Sequence, residues 1–171
     1  MRERDLPDLV RWRQSVPVDI LQSDAVNPMS DERARTLMVD IAGNLGQTDT
    51  HRGFCVETIP EGDEPARLLG VVSLGQMTRQ HRSAVFAIAL DPDQGGHGYG
   101  QDATRTMVRY GFRELGLHRI ELHVWSYNAR ALATYRKSGF VEEGRLRDVV
   151  FHDGRWHDEH IMSVLSTDDA L

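Results

Sequence analysis

The chain has 171 residues, 40% of them hydrophobic, which is enough for one domain to build a core without disulfides or a structural metal. Its formal charge of −6 is spread along the chain with no basic block, arguing against a nucleic-acid groove and mildly favouring a cationic or amine-bearing partner. The apolar run Val85 to Leu90 is far too short to cross a bilayer and the N-terminus is charged rather than signal-like, so a soluble, cytoplasmic protein with no membrane partner is expected.

Asp5-Leu6-Pro7 reads as a helix start, with Asp5 as N-cap, Pro7 in the first turn and Leu6, Leu9 and Val10 as the apolar side of a short helix over roughly 5–14. A second start lies at Asn27-Pro28-Met29-Ser30, after which Ala34, Leu37, Met38, Ile41 and Leu45 recur at helical spacing until the Gly43 to Gly46 region. Strand-like runs follow at Gly53 to Thr58, Arg67 to Leu74 and Ala84 to Leu90, separated by Pro60 to Pro65 and by the polar stretch Thr78 to Ser83, which reads as an antiparallel meander. The lone Cys55 falls in the first run as a buried thiol rather than a nucleophile.

A glycine cluster, Gly95-Gly96-His97-Gly98-Tyr99-Gly100, then opens a long helix in which Ala103, Met107, Val108, Phe112 and Leu115 share a face and Gly116 ends the pattern. His118 to Trp125 is a strand, Asn128 to Ser138 a helix closed by Gly139, and Phe140 onward returns to strands around Asp153-Gly154. The predicted order is ααβββαβαββ in a single domain, 1–171, with no internal repeat.

Strand, glycine loop and helix N-terminus together turn free backbone N–H groups toward an anion, and a pyrophosphate suits that arrangement because any Cβ would hold the phosphate away from the donors. Gly98 to Ala103 also matches the dinucleotide fingerprint G-x-G-x-x-A, with Glu121 at about the distance of a ribose-binding acid. Against that reading, three meander strands precede the loop, whereas a dinucleotide fold places it after its first parallel strand. Standing alone, the cluster would also be read as a turn that merely starts a helix.

The loop and a second segment together resemble the GNAT family of acetyltransferases. The family's pyrophosphate loop has the pattern Q/R-x-x-G-x-G/A, matched from Gly95 to Gly100 except that Gly95 stands where Gln or Arg is usual and His97 replaces a frequent basic residue. The departure at Gly95 implies that one side-chain contribution to phosphate binding is missing. Asn128-Ala129-Arg130-Ala131-Leu132-Ala133-Thr134-Tyr135-Arg136-Lys137-Ser138-Gly139-Phe140 fits the family's N-x-x-A-x-x-x-Y-x-K-x-G-F. With Phe112 to Leu122 and Asp153 to Asp158, the stretch Leu69 to Leu165 looks like the branch holding ribosomal-protein N-terminal and spermidine acetyltransferases.

The resemblance implies an α/β (α+β) fold, a single domain with a mixed, mostly antiparallel, twisted sheet of about six or seven strands flanked by about four helices. It implies acetyl-CoA or CoA as cosubstrate, no metal, and an amine acceptor such as a protein N-terminus, a polyamine or another small amine. A homodimer or higher homo-oligomer is a further expectation. The coenzyme would meet Ile88, Ala89 and Leu90 on the third strand of the meander, the loop residues Gly95, Gly96, His97, Gly98, Tyr99 and Gly100, and Asn128, Ala131 and Lys137 on the following helix. A strand N–H near Leu90 would meet the charge developing on the thioester oxygen. Tyr135 would protonate the departing CoA thiolate, which suits a phenol of reference pKa about 10 beside a thiol of about 8.5.

Without the surrounding pattern, Tyr135 would read as a core tyrosine, Asn128 as an N-cap, and Arg136 and Lys137 as helix-surface charges. Val85 stands where many relatives carry a glutamate base, leaving the general base unassigned among Glu121, His97, His157 and, preferred here, a water chain or a weakly basic acceptor amine. His157 and His160 fall on opposite faces of one strand, so a metal shared with His152 is not expected. The competing classes are a noncatalytic CoA-binding or regulatory module, motivated by Gly95 and Val85, and a scaffold with an empty loop.

Overall fold

A computed structural model of the chain describes residues 5–13, 30–36, 48–60, 62 and 65–168. Their order is α1 (Leu6–Arg13), α2 (31–36), β1 (Arg52–Glu57), β2 (Leu68–Thr78), β3 (Ser83–Leu90), α3 (Tyr99–Arg113), β4 (Arg119–Trp125), α4 (Ala129–Lys137), β5 (Val141–His152) and β6 (Arg155–Leu165). This is the ααβββαβαββ order read from the sequence, with a short 3-10 turn, Pro92–Gln94, before α3. Of the second predicted helix only the part around the buried Ala34 is covered; Asn27 to Met29, Leu37, Met38, Ile41 and Leu45 lie outside the described residues.

The described strands form one six-stranded sheet in the order β1-β2-β3-β4-β6-β5. Every neighbouring pair is antiparallel except β3 and β4, the parallel seam between an N-terminal and a C-terminal half. A doubly wound dinucleotide fold requires a mostly parallel sheet, so the fingerprint at Gly98 to Ala103 has lost its structural context.

Period-2 alternation sends Val72, Leu74, Phe86, Ile120, Leu122, Met162 and Val164 to one face, where they pack beneath Met107 and Val108 of α3 and Leu132 of α4. On the opposite face α1 packs Leu6, Leu9 and Trp12 over Leu68, with Val71 and Cys55 at the margin. Cys55 is half-buried rather than buried, because β1 is an edge strand with only partial cover. β2 also runs four residues beyond the predicted end at Leu74, to Thr78. A register shift between Gly75 and Thr78, with Gln76 at φ 50°, carries the pairing through polar residues that break the hydrophobic pattern.

Gly111 lets α3 approach the sheet. A Cβ there would lie 2.8 Å from Ile120 Cδ1 and 3.0 Å from Leu74 Cδ1, and both of those side chains are fully buried. Overpacking of this kind costs about 1–3 kcal/mol. Gly111→Ala is therefore expected to lower the thermal midpoint by several degrees in calorimetry, at about 2–4 °C per kcal/mol for a domain of this size. An unchanged midpoint would show that the helix has room to retreat.

Candidate functional site

The parallel seam is short. Ser83, Ala84 and Val85 pair with Arg119, Ile120 and Glu121, and the strand pairing stops there. Beyond it β3 follows β2 as far as Leu90 opposite Gly70, while β4 follows β6 as far as Trp125 opposite Glu159. The two halves of the sheet thus part into a wedge. Because β3 and β4 are parallel, their C-terminal ends lie at the same end of the sheet, and each leads into a helix N-terminus, α3 from one side and α4 from the other.

The α3 side is the glycine loop. Asp91 N–H donates to Leu69 O at 2.8 Å, and Asp91 Oδ1 accepts from Asp93 N–H at 3.0 Å, fixing where the chain leaves β3. Gly98 then caps α3 at φ 84° and ψ −8°, a left-handed conformation that a Cβ disfavours, and no side chain caps the helix. Gly98 O accepts from the N–H groups of Gln101 and Asp102, but among the described residues no acceptor meets the N–H groups of Gly96, His97, Gly98, Tyr99 or Gly100. The imidazole of His97 stacks on Tyr99 with centroids 5.7 Å apart. Such a run of unpartnered donors at a helix start favours an anion, and a diphosphate fits it.

On the α4 side, Asn128 is the N-cap: its Oδ1 accepts from Ala131 N–H at 3.1 Å, which leaves the side-chain NH₂ available as a donor. The guanidinium of Arg130 reaches from the first turn of α4 to lie against the loop at Gly95. Tyr135 packs edge-on against Phe86 of β3, 6.1 Å between centroids, and against Phe140 at 5.9 Å. Ile88 and Ala131 are partly buried in the same cluster. The helix closes in a Schellman pattern, with Phe140 N–H on Tyr135 O at 3.0 Å and Gly139 N–H on Arg136 O at 3.2 Å. The family's Tyr, Gly and Phe are thereby one structural unit, since the C-terminal turn that needs Gly139 at φ 93° also seats Phe140 on the tyrosine ring.

Among the described residues the Tyr135 hydroxyl has no hydrogen-bond partner, and burial pushes its pKa up to about 12. Ala89 and Leu90 complete β3 beside the loop, and Gly100 faces Leu90 and Thr134, so a Cβ there would lie 3.4 Å from Leu90 Cδ1. Lys137 ends α4. Its side chain is exposed at the far end of α4 from Asn128, while its carbonyl accepts from Arg105 at 2.7 Å and from Gln101 at 3.4 Å.

Among the residues weighed as a base, Glu121 is held by Arg119, with Nε at 3.1 Å. Arg119 also grips Glu143, which Ser163 contacts as well, and these hydrogen bonds, Arg119's the larger, hold the Glu143 carboxyl down at about 2. Val85 sits opposite Glu121 in the seam. His157 faces Tyr127 across 4.8 Å and lies 6.2 Å from His152, whereas His160 is buried on the other face with Nδ1 3.0 Å from Glu142 Oε1. That contact and Arg136 hold the Glu142 carboxyl below its ordinary range. Among the described residues no group of three His, Cys, Asp or Glu side chains converges on a metal position, and no helix is long and apolar enough to cross a membrane.

A parted sheet with an anion-ready loop at its mouth defines a coenzyme-binding acyltransferase fold, and the comparisons agree. The chain belongs to the GNAT family: residues 1–141 match the acetyltransferase (GNAT) domain. A spermidine N(1)-acetyltransferase of Vibrio cholerae is 36% identical over 119 residues, 70% of this chain and 66% of that protein. A putative ribosomal N-acetyltransferase of Bacillus subtilis is 31% identical over 98 residues, covering 57% of this chain and 54% of its own length. The matched stretches thus span about half to two thirds of these relatives. The crystal structure of the Vibrio cholerae spermidine N-acetyltransferase in complex with CoA and spermine superposes with a TM-score of 0.80 at 26% identity, over 98% of this chain and 94% of that one.

The buried phenol can be observed directly. Tyr127 and Tyr135 are both pushed up to about 12 by burial, so a spectrophotometric titration of the folded protein is expected to show two late-ionising phenols, one of which Tyr135→Phe removes. The folded state then holds more protons than the unfolded state between about pH 10 and 12, so stability should fall as pH rises through that window. Ionisation of Tyr135 near pH 10 would contradict the burial described.

Proposed function

We propose that the protein is an N-acetyltransferase that moves the acetyl group of acetyl-CoA onto a primary amine, with polyamines the leading acceptor class. The observation that carries this reading is the pairing of amides from Gly96 to Gly100 with a phenol on the helix across the wedge, all without partners among the described residues. The amides are suited to the diphosphate, and the edge of β3 at Ile88, Ala89 and Leu90 to the pantetheine arm and the thioester carbonyl. Asn128 offers its NH₂ to the same arm, and Ala131 supplies a small wall beside it. Lys137, exposed at the C-terminal end of α4, is a further candidate contact to the coenzyme.

In the reaction the amine nitrogen forms the new C–N bond, the C–S bond breaks, and the sulfur takes its proton from Tyr135. Burial keeps that phenol protonated throughout the neutral range, so the donor is always loaded. The amine's own proton leaves through water, in keeping with Val85 in the seam and Glu121 tied to Arg119. The polyamine preference follows the named acceptors of the relatives.

Self-association is a further part of the reading. Val141, Phe151 and Trp156 are 61%, 57% and 59% exposed on the β5–β6 hairpin, and apolar exposure of that kind suits contact with a second copy of the chain. The expected location is the cytoplasm.

A panel of polyamines, small amines and N-terminal peptides, assayed by thiol release from acetyl-CoA, is expected to yield at least one acceptor. With that acceptor Tyr135→Phe should lower kcat about 10²- to 10⁴-fold while leaving the KM for acetyl-CoA within a few-fold. CoA binding without turnover across the panel, together with an indifferent Tyr135→Phe, would leave a noncatalytic coenzyme-binding module.

A further inference from the structure

The guanidinium of Arg130 lies against the glycine loop. A Cβ on Gly95 would meet that guanidinium, with Cζ only 2.8 Å away, so the bare Gly95 backbone and the Arg130 side chain occupy one space between them. Gly95 has φ −72° and ψ 147°, ordinary extended backbone that any residue adopts, so backbone conformation does not require a glycine there.

The guanidinium has no carboxylate, carbonyl or hydroxyl partner among the described residues; only the Arg130 backbone carbonyl is used, by Thr134 Oγ1 at 3.0 Å. The other nearby polar groups are already engaged. Gln94 Oε1 accepts from Arg67 at 2.7 Å, Arg105 donates to Lys137 O at 2.7 Å, and Gln101 to the same oxygen at 3.4 Å. An unpaired planar cation and five unpaired amides therefore converge on the same loop.

We propose that Arg130 is a diphosphate-binding residue that supplies, from the first turn of α4, the side-chain contribution that Gly95 cannot. This rests on the coenzyme reading of the loop. The ligand class is a diphosphate ester, and an arginine fork can hold two of its oxygens at once while the loop amides hold others. In this structure the guanidinium takes the space that a side chain on Gly95 would enter.

Calorimetric titration of the full chain with CoA tests this. Arg130→Ala is expected to weaken CoA about tenfold with an unchanged melting temperature in the absence of ligand, since the side chain is exposed. Gly95→Arg combined with Arg130→Ala should recover most of the affinity lost in Arg130→Ala. The Arg130→Ala defect should persist with dephospho-CoA, which keeps the diphosphate and lacks the 3′-phosphate; its disappearance would move Arg130 to the 3′-phosphate and overturn the proposal. Equal CoA affinity in wild type and Arg130→Ala would overturn it too, while leaving the coenzyme reading in place. Wild-type protein that binds no CoA would defeat the coenzyme reading itself.

Discussion

Three residue pairs hold β3 to β4, and the site depends on there being no more. A longer seam would close the wedge and satisfy the strand edges against each other. A seam broken altogether would separate the two antiparallel halves. The compromise is a sheet continuous through Val85 and Glu121 at one end and open at the other, where both strands end in helix N-termini. Backbone groups that a uniform sheet would consume are released for a ligand, at the place where two helix dipoles present their positive ends.

Around that opening the chain spends its specialised residues. Gly98 accepts a left-handed conformation so that α3 starts without a side-chain cap, leaving the first-turn amides exposed. Gly111 lets the same helix lie close on Ile120 and Leu74. On α4 the caps differ in purpose: Asn128 starts the helix with one side-chain atom and keeps another in reserve, while Gly139 ends it in a turn that presses Phe140 onto Tyr135. The Tyr135 hydroxyl, at the edge of an aromatic cluster and without a hydrogen-bond partner among the described residues, is available when a ligand arrives.

Much of this was legible in the sequence. The order of elements, the helix start after the glycines and the cap at Asn128 each follow from local chemistry that acts within a few residues. The mixed sheet and the motif positions of Tyr135, Gly139 and Phe140 came through resemblance, because strand pairing is non-local and leaves little trace in periodicity. Two features escaped. The extension of β2 to Thr78 passes through a bulge, which hides alternation. Arg130 reads as one more helix-surface charge, and its meaning is visible only once Gly95, 35 positions earlier, is seen to share its space. What seemed a deficit at Gly95 is thus an exchange between two elements.

The central claim, that the loop amides hold the coenzyme's diphosphate at the mouth of the wedge, is tested most directly by amide resonances. On titrating ¹⁵N-labelled protein with CoA, the Gly96, Gly98 and Gly100 N–H signals are predicted to move downfield together as each gains a charged acceptor. Saturable CoA binding that leaves those three signals in place, with shifts elsewhere, would contradict the account.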